Sequence, residues 1–350
     1  MKASVMDGIR QPLVIRDVQE PQLSPGSAIV RVEANGICRS DWHLWVGDWT
    51  WFMPALKFPH VLGHEFCGVV EEAGPGVARF KAGERVLVPF SQGEGTCDFC
   101  RNGQPHLCDR RMTPGVAYWG GFGRYVAVPF ADVNLVPLPD SIGFTEAASM
   151  GCRFMSSYHA IVDRAQVSAG EWVAVHGCGG IGLSAIQIAT SLGANVIGVD
   201  IADDKLDMAK KVGAVATFNA KSGDVARAIV DLTKGGAQVS VDALGVAATC
   251  RASIACLKKQ GRHVQIGLTS SAEKGEVSVP IDLIVLKEVS LIGSFGMPAP
   301  RFGAMLAMVE AGKLAPGKLV SQTVPLERAG DVLASMGEFG TLGVAVIDRY

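Results

Sequence analysis

At 350 residues the chain exceeds the size at which one hydrophobic core keeps growing, so about two domains are expected, and its 48% apolar content suits compact folding. The 32 basic and 34 acidic residues are interspersed and leave a net charge of −2, too weak a field to draw nucleic acid or an anionic membrane. A small-molecule partner is therefore expected. The opening MKASVMDGIRQP lacks the apolar centre of a signal peptide, and no run of about 20 apolar residues is present to span a bilayer, so a soluble cytoplasmic protein is expected. Nine cysteines, an odd number in a long chain, favour reduced thiols and metal ligation over a secreted disulfide framework.

Residues 1–152 are rich in Gly and Pro and carry short β-branched runs, AIVRVEANGI, HVLGHEFCGVV, RVLVPF and RYVAVPF, which predict irregular antiparallel strands. Two motifs lie among them: GICRSDWH at 36–43 and GHEFCGVVEEAG at 63–74. Cys38 and His64 offer a thiolate and an imidazole, both zinc-ligand types, while Ser40, Asp41, His43 and Glu65 are placed to move protons or orient those ligands. The run WHLWVGDWTWF follows at once, an aromatic wall suited to apolar molecules or to packing. Next comes EGTCDFCRNGQPHLC, where Cys97, Cys100 and Cys108 have metal-type spacing. Cys152 also has such a context, whereas Cys67, Cys178, Cys250 and Cys256 sit in apolar surroundings and are given no role.

Residues 153–296 change pattern. The runs WVAVHG, NVIGVD, ATFN, VSVDAL, HVQIG and VSLIG alternate with helical stretches such as GIGLSAIQIATSLG, DDKLDMAKKVG and AATCRASIACLKKQG, which predicts an α/β domain with a doubly wound parallel sheet. GCGGIG at 177–182 follows a strand and opens a helix. Gly177 suits the tight turn, Gly179 lets backbone approach a pyrophosphate, and Gly182 allows close helix packing, with Gly180 and Ile181 opening the phosphate-binding helix end. Asp200, about 18 residues after Gly182, is placed to accept from the ribose hydroxyls, so NAD is the expected cofactor. A 2′-phosphate would face Asp200, Asp203 and Asp204, with Lys205 the one nearby cation. Residues 297–350 return to a mixed pattern and are expected to complete the first, discontinuous domain.

A zinc-type Cys and His in one domain and a dinucleotide fold in the next resemble the zinc-dependent alcohol dehydrogenases of the medium-chain dehydrogenase superfamily. Gly63, His64, Glu65, Gly68 and Gly74 match that family's GHE-x2-G-x5-G motif, and residues 36–43 match GxCxSDxH. The resemblance implies a Rossmann domain and a mainly β, chaperonin-10-like catalytic domain, with two zinc ions per subunit. By it, Cys38, His64 and Cys152 hold a catalytic zinc, with Glu65 a nearby carboxylate and Asp41 holding the imidazole. Glu94, standing where the family usually has cysteine, joins Cys97, Cys100 and Cys108 on a structural zinc, with His106 and Asp109 as competing ligands. Ser40 and His43 match the proton relay, Arg39 the pyrophosphate contact, and Trp49, Phe90 and Phe295 the substrate pocket.

The implied activity is hydride transfer between an apolar or aromatic alcohol and NAD, in a homotetramer or otherwise a dimer. A polyol or amino-alcohol dehydrogenase is the alternative, although Cys152 stands where polyol enzymes often carry glutamate. A nucleotide-sensing binding protein would show lost ligands. A zinc-free quinone reductase would lack Cys38, His64 and Cys152 as a set.

Overall fold

The computed structural model describes residues 1–53, 55–338 and 341–350, with the backbone alone at Glu338. The chain forms two compact units, one of residues 1–155, 296–312 and 316–350, the other of residues 156–295 and 313–315.

The first unit is built on the strand Ala28–Ile37, which pairs antiparallel with Glu65–Ala73, Tyr125–Val128 and Val344–Arg349. Arg85–Val88 and Val136–Pro137 extend the sheet on one side, and Val320–Pro325, parallel to Val344–Arg349, extends it on the other. Alternation in Ala28–Ile37 sends Ala28, Val30 and Val32 into a core with Phe66, Val70, Val86, Val88 and Val126. A second core gathers Ile37, Leu44, Trp49, Leu62, Phe122, Leu333 and Ile347. Register places Gly36 opposite Glu65, so the strand pairing sets the CRSD and GHE segments side by side.

The second unit is an all-parallel six-stranded sheet. Its strands run in the order Ala216–Asn219, Asn195–Asp200, Trp172–His176, Ala237–Asp242, Leu257–Gln265, Ser290–Gly293. Winding reverses between Trp172–His176 and Ala237–Asp242, the switch point at which such sheets open a crevice at their carboxyl ends. Helices Gly180–Ser191, Asp203–Lys211, Val225–Leu232, Ala247–Ala255 and Ile281–Lys287 connect the strands.

The run AATCRASIACLKKQG does not stay helical throughout. The helix stops at Ala255, and strand begins at Leu257, whose buried side chain pairs in register with Ala237. The register then shifts so that Val239 faces Arg262, and Lys258, Lys259 and Gln260 stand out in solvent, Gln260 at φ +58°. Sheet pairing here overrides helix-forming side chains.

Gly68 lies where the two central strands of the first unit cross most closely: a Cβ there would sit 2.0 Å from the Arg31 carbonyl oxygen. Gly68→Ala is expected to cost about 3 kcal/mol in chemical denaturation, because backbone rather than a flexible side chain must move. A loss below about 1 kcal/mol would show that the strands part easily.

Candidate metal centre and nucleotide site

Cys38 occupies the cap position of helix Arg39–Val46, and Asp41 stands three residues in. The Asp41 carboxylate is fully buried and accepts from three donors: the Cys38 amide at 2.9 Å, the Gly63 amide at 3.1 Å and His64 Nδ1 at 2.9 Å. A carboxylate at this distance only accepts, so a proton lies on Nδ1, and the neutral ring, the form that binds a cation, offers its lone pair at Nε2. That nitrogen is buried and has no hydrogen-bond partner. Cys152 reaches the same place from a π-helical turn, Met150–Phe154, whose widened pitch presents consecutive side chains inward. One ligand atom from each of Cys38, His64, Glu65 and Cys152 lies within 4.8 Å of the others, all in buried residues.

The electrostatics are those of a cation site. The Cys152 thiol, hydrogen-bonded to Cys38, pulls the Cys38 pKa well below its ordinary value against the effect of burial, while the same bond and burial push Cys152 well up. Burial opposes protonation of His64, yet the charges of Asp41 and Cys38 carry its pKa well above normal. Two sulfurs and one lone-pair nitrogen converging in a dry site fit zinc with an open fourth position.

Glu65 belongs to this group but is turned to Arg153. Its oxygens accept from Arg153 Nε at 2.9 and 3.1 Å, from the Arg153 amide at 3.1 Å and from the guanidinium NH2. Burial nonetheless raises the Glu65 pKa to about 7 against the pull of Arg153. Gly36 makes room for the pair, since a Cβ there would meet Glu65 Oε2 at 2.4 Å. Arg153 was not singled out from the sequence. Its one signal was its place directly after Cys152.

Ser40 Oγ lies 3.8 Å from Cys38 Sγ. The His43 ring stacks on Trp49 at 4.5 Å and pairs through Nδ1 with Asp48 at 2.6 Å. Burial lowers the His43 pKa, with Asp48 partly opposing, so the ring is neutral near pH 7. Asp48 is a second residue that sequence reasoning missed. Arg39 stacks its guanidinium 3.8 Å over Trp42 and bonds the Met336 carbonyl. Phe90 stands edge-on to His64 at 6.2 Å, whereas Phe295 is part of the second unit.

The other thiols also gather. Cys97, Cys100 and Cys108 lie within 4.8 Å of one another, with 3.7 Å between the sulfurs of Cys97 and Cys108. Glu94 is not brought into this group, and neither His106 nor Asp109 joins it. The Glu94 carboxylate accepts from Thr96 Oγ1 at 2.7 Å and the Cys97 amide at 3.0 Å, and its other oxygen pairs with Arg110 at 2.7 Å. The expected four-ligand set is thus three sulfurs here, because an arginine competes for the fourth member.

In the second unit, Gly177 adopts φ +93° and Gly182 packs so closely that a Cβ would fall 1.7 Å from the Gly177 oxygen. A Cβ on Gly179 would meet nothing within 4 Å, so the loop leaves open space where a pyrophosphate approaches the first turn of helix Gly180–Ser191. Gly180 and Ile181 form that turn. Asp200 ends its strand beside the loop, accepting from the Cys178 amide at 2.7 Å and from Ile201 and Ala202 at 2.7 and 3.1 Å. Lys205 is near enough for its charge to act on Cys178. Exposed Ile201, Leu244, Val246 and Leu268 follow the carboxyl ends of three strands and offer apolar surface to flat rings. None was foreseen, since isolated apolar residues after strands carry no periodic signal.

Residues 24–140 match the alcohol dehydrogenase GroES-like domain, and residues 180–311 match the zinc-binding dehydrogenase family. An alcohol dehydrogenase of Geobacillus stearothermophilus is 36% identical over 337 residues, 96% of each chain. The chain belongs to the zinc-dependent alcohol dehydrogenase family. An NAD-dependent alcohol dehydrogenase of Sulfurisphaera tokodaii is 33% identical over 99% of both chains. The solved alcohol dehydrogenase of Thermus sp. ATN1 covers 100% of each chain at TM-score 0.91 and 30% identity.

Substitution of Asp41 tests whether the buried carboxylate serves metal retention apart from the fold. Asp41→Asn is expected to weaken zinc retention about 10- to 100-fold in chelator competition, with circular dichroism preserved. Wild-type retention in that variant would remove Asp41 from the site.

Proposed function

We propose that the chain interconverts apolar or aromatic alcohols and their aldehydes or ketones with NAD, and that Cys38, His64 and Cys152 hold the catalytic zinc. The observation that carries this reading is the buried His64 Nε2, without a partner, in one cluster with two sulfurs. Zinc held there supplies a Lewis acid that lowers the pKa of a bound hydroxyl by about 9 units, roughly 12 kcal/mol, and NAD supplies the hydride acceptor.

The residues around it divide the remaining tasks. Asp41 locks the His64 tautomer and ring plane. Arg153 draws the Glu65 carboxylate to itself, leaving the two sulfurs and the imidazole as ligands. His43, neutral and held at Nδ1 by Asp48, keeps Nε2 free to take a proton passed by Ser40. Glu94, Cys97, Cys100 and Cys108 form the structural site once Glu94 exchanges Arg110 for metal.

Trp49 stacked on His43 and Phe90 edge-on to His64 border the chemistry with aromatic faces, which favours apolar or aromatic substrates over polyols. Gly179 and Asp200 support NAD, because a 2′-phosphate would meet Asp200 and the acidic start of the next helix, Asp203 and Asp204. The loop residues Gly177, Gly180, Ile181 and Gly182, with Arg39 and Lys205, complete the cofactor set. Exposed Ile281, Val285 and Leu286 precede the edge strand Ser290–Gly293, which supports pairing with a second copy in a dimer or tetramer. All nine cysteines are unpaired thiols, which suits the cytoplasm. The binding-protein and quinone-reductase alternatives lose ground because Cys38, His64 and Cys152 are all retained and converge.

An NADH-oxidation screen over aldehydes and ketones, run with and without a zinc chelator, is expected to show chelator-sensitive turnover strongest on aromatic or long-chain aldehydes. Full turnover after complete zinc removal would sink the proposal. His43 takes up a proton only below its lowered pKa, so alcohol oxidation should fall on the acid side of pH 6.5 as the free base is lost. His43→Gln is expected to slow oxidation at pH 7 to 8 by about 10-fold or more and to flatten that acid limb, with zinc content unchanged. An unaltered pH profile would exclude His43 from the relay.

A further inference from the structure

The second unit buries a polar chain beneath the glycine-rich loop. Register sets Asp242 beside both His176 and Gln265 at the carboxyl ends of the central strands, the edge where such sheets receive ligands. Oδ1 of Asp242 accepts from the Leu244 amide at 2.9 Å, the Gly245 amide at 3.2 Å and Thr249 Oγ1 at 3.0 Å. Its Oδ2 accepts from Gln265 Nε2 at 3.0 Å, and the same amide group donates to the Gly267 carbonyl at 2.8 Å. The Asp242 carbonyl takes the amides of Ile266 and Gly267 at 3.1 and 3.0 Å. One residue therefore anchors two adjacent turns.

Donor and acceptor types fix the direction of the whole chain. A carboxylate and a carbonyl only accept, so the Gln265 group facing them is its NH2, and Oε1 faces His263 Nε2 at 3.1 Å. That nitrogen must carry the ring's proton. Nδ1 of His263 is then the acceptor for Ser240 Oγ at 3.3 Å and Ser253 Oγ at 3.0 Å. Burial lowers the His263 pKa, in keeping with the neutral ring this pattern requires. Every member finds a partner, and no member can be reversed without leaving a buried group unpaired.

The turns so anchored have no slack. A Cβ on Gly177 would lie 2.6 Å from Leu244 Cγ, one on Gly245 would lie 2.2 Å from the Leu268 oxygen, and one on Gly267 would lie 2.4 Å from the Gly245 nitrogen. Leu244, held at its amide by Asp242, rests its side chain over Gly177, the first residue of the glycine-rich loop.

We infer that Gln265 and His263 are positioning residues for the dinucleotide: they hold Asp242, which holds the Leu244–Gly245 turn against Gly177. This rests on the reading that NAD binds over the glycine-rich loop. Gln265→Leu in the full-length, zinc-loaded protein removes the hydrogen bond to the Asp242 carboxylate together with those to the Gly267 carbonyl and His263 Nε2, and is expected to raise the NADH dissociation constant about tenfold or more. At saturating NADH, kcat and the aldehyde KM should stay within about twofold, since the metal centre is in the other unit. A role confined to stability would instead lower the melting temperature and leave NADH binding unchanged, and that result overturns the inference.

Ser253→Ala removes only the far hydroxyl and serves where Gln265→Leu does not fold. A two- to threefold weaker binding of NADH supports the inference, by the partial loss expected when one acceptor contact goes, and unchanged binding overturns it. Asp200→Asn is measured alongside. If it binds NADH like the wild type, the placement of NAD fails; if it weakens binding while the Gln265 and Ser253 variants do not, only the positioning inference fails.

Discussion

One carboxylate organises the proposed metal centre. Asp41 receives the Cys38 amide, the Gly63 amide and the His64 imidazole, so two chain segments 22 residues apart are clamped at a single buried carboxylate. A negative charge with no exposure is costly unless satisfied. Three donors satisfy it here, and the cost of losing any one keeps the other two in place. The tautomer of His64, the direction of its lone pair and the cap of the helix after Cys38 are consequences of one anion.

The second unit uses glycine for the same end of removing freedom. Its loop keeps one open position, at Gly179, between two positions where even a methyl group is excluded. The backbone can then meet a charged ligand without side chains in the way, while Asp200 is held ready by the Cys178 amide of that loop and by the two amides that follow it in the chain. On the proposed reading, polarisation and proton handling fall to one unit and binding of the dinucleotide to the other.

How much of this was legible follows from the range over which each feature acts. Cys38, Asp41 and Ser40 lie within one helical turn, and the GHE and glycine-rich motifs are equally local, so the residue types at fixed spacing announced them. Arg153 acts on a partner 88 residues away that only folding brings to it, and Asp48, though five residues from His43, is an aspartate in a tryptophan-rich run with no distinguishing pattern. Glu94 is a different case. Spacing puts it near the three thiols, yet it is paired with Arg110, and competition between partners is invisible in spacing. The strand at HVQIG is legible, but the first half of Leu257–Gln265 is masked by helix-forming lysines and glutamine that its irregular register expels into solvent.

The Arg153–Glu65 pair has a consequence for anyone moving this site to another scaffold. Each member directly follows a proposed ligand in the chain, Glu65 after His64 and Arg153 after Cys152, so ligands and ion pair are carried by two dipeptides whose backbones must face each other at one separation. Copying the three ligands alone would leave a naked buried acid at coordinating distance, free to close the vacant corner. The transferable unit is the facing pair of dipeptides together with the side-chain-free notch opposite them at Gly36.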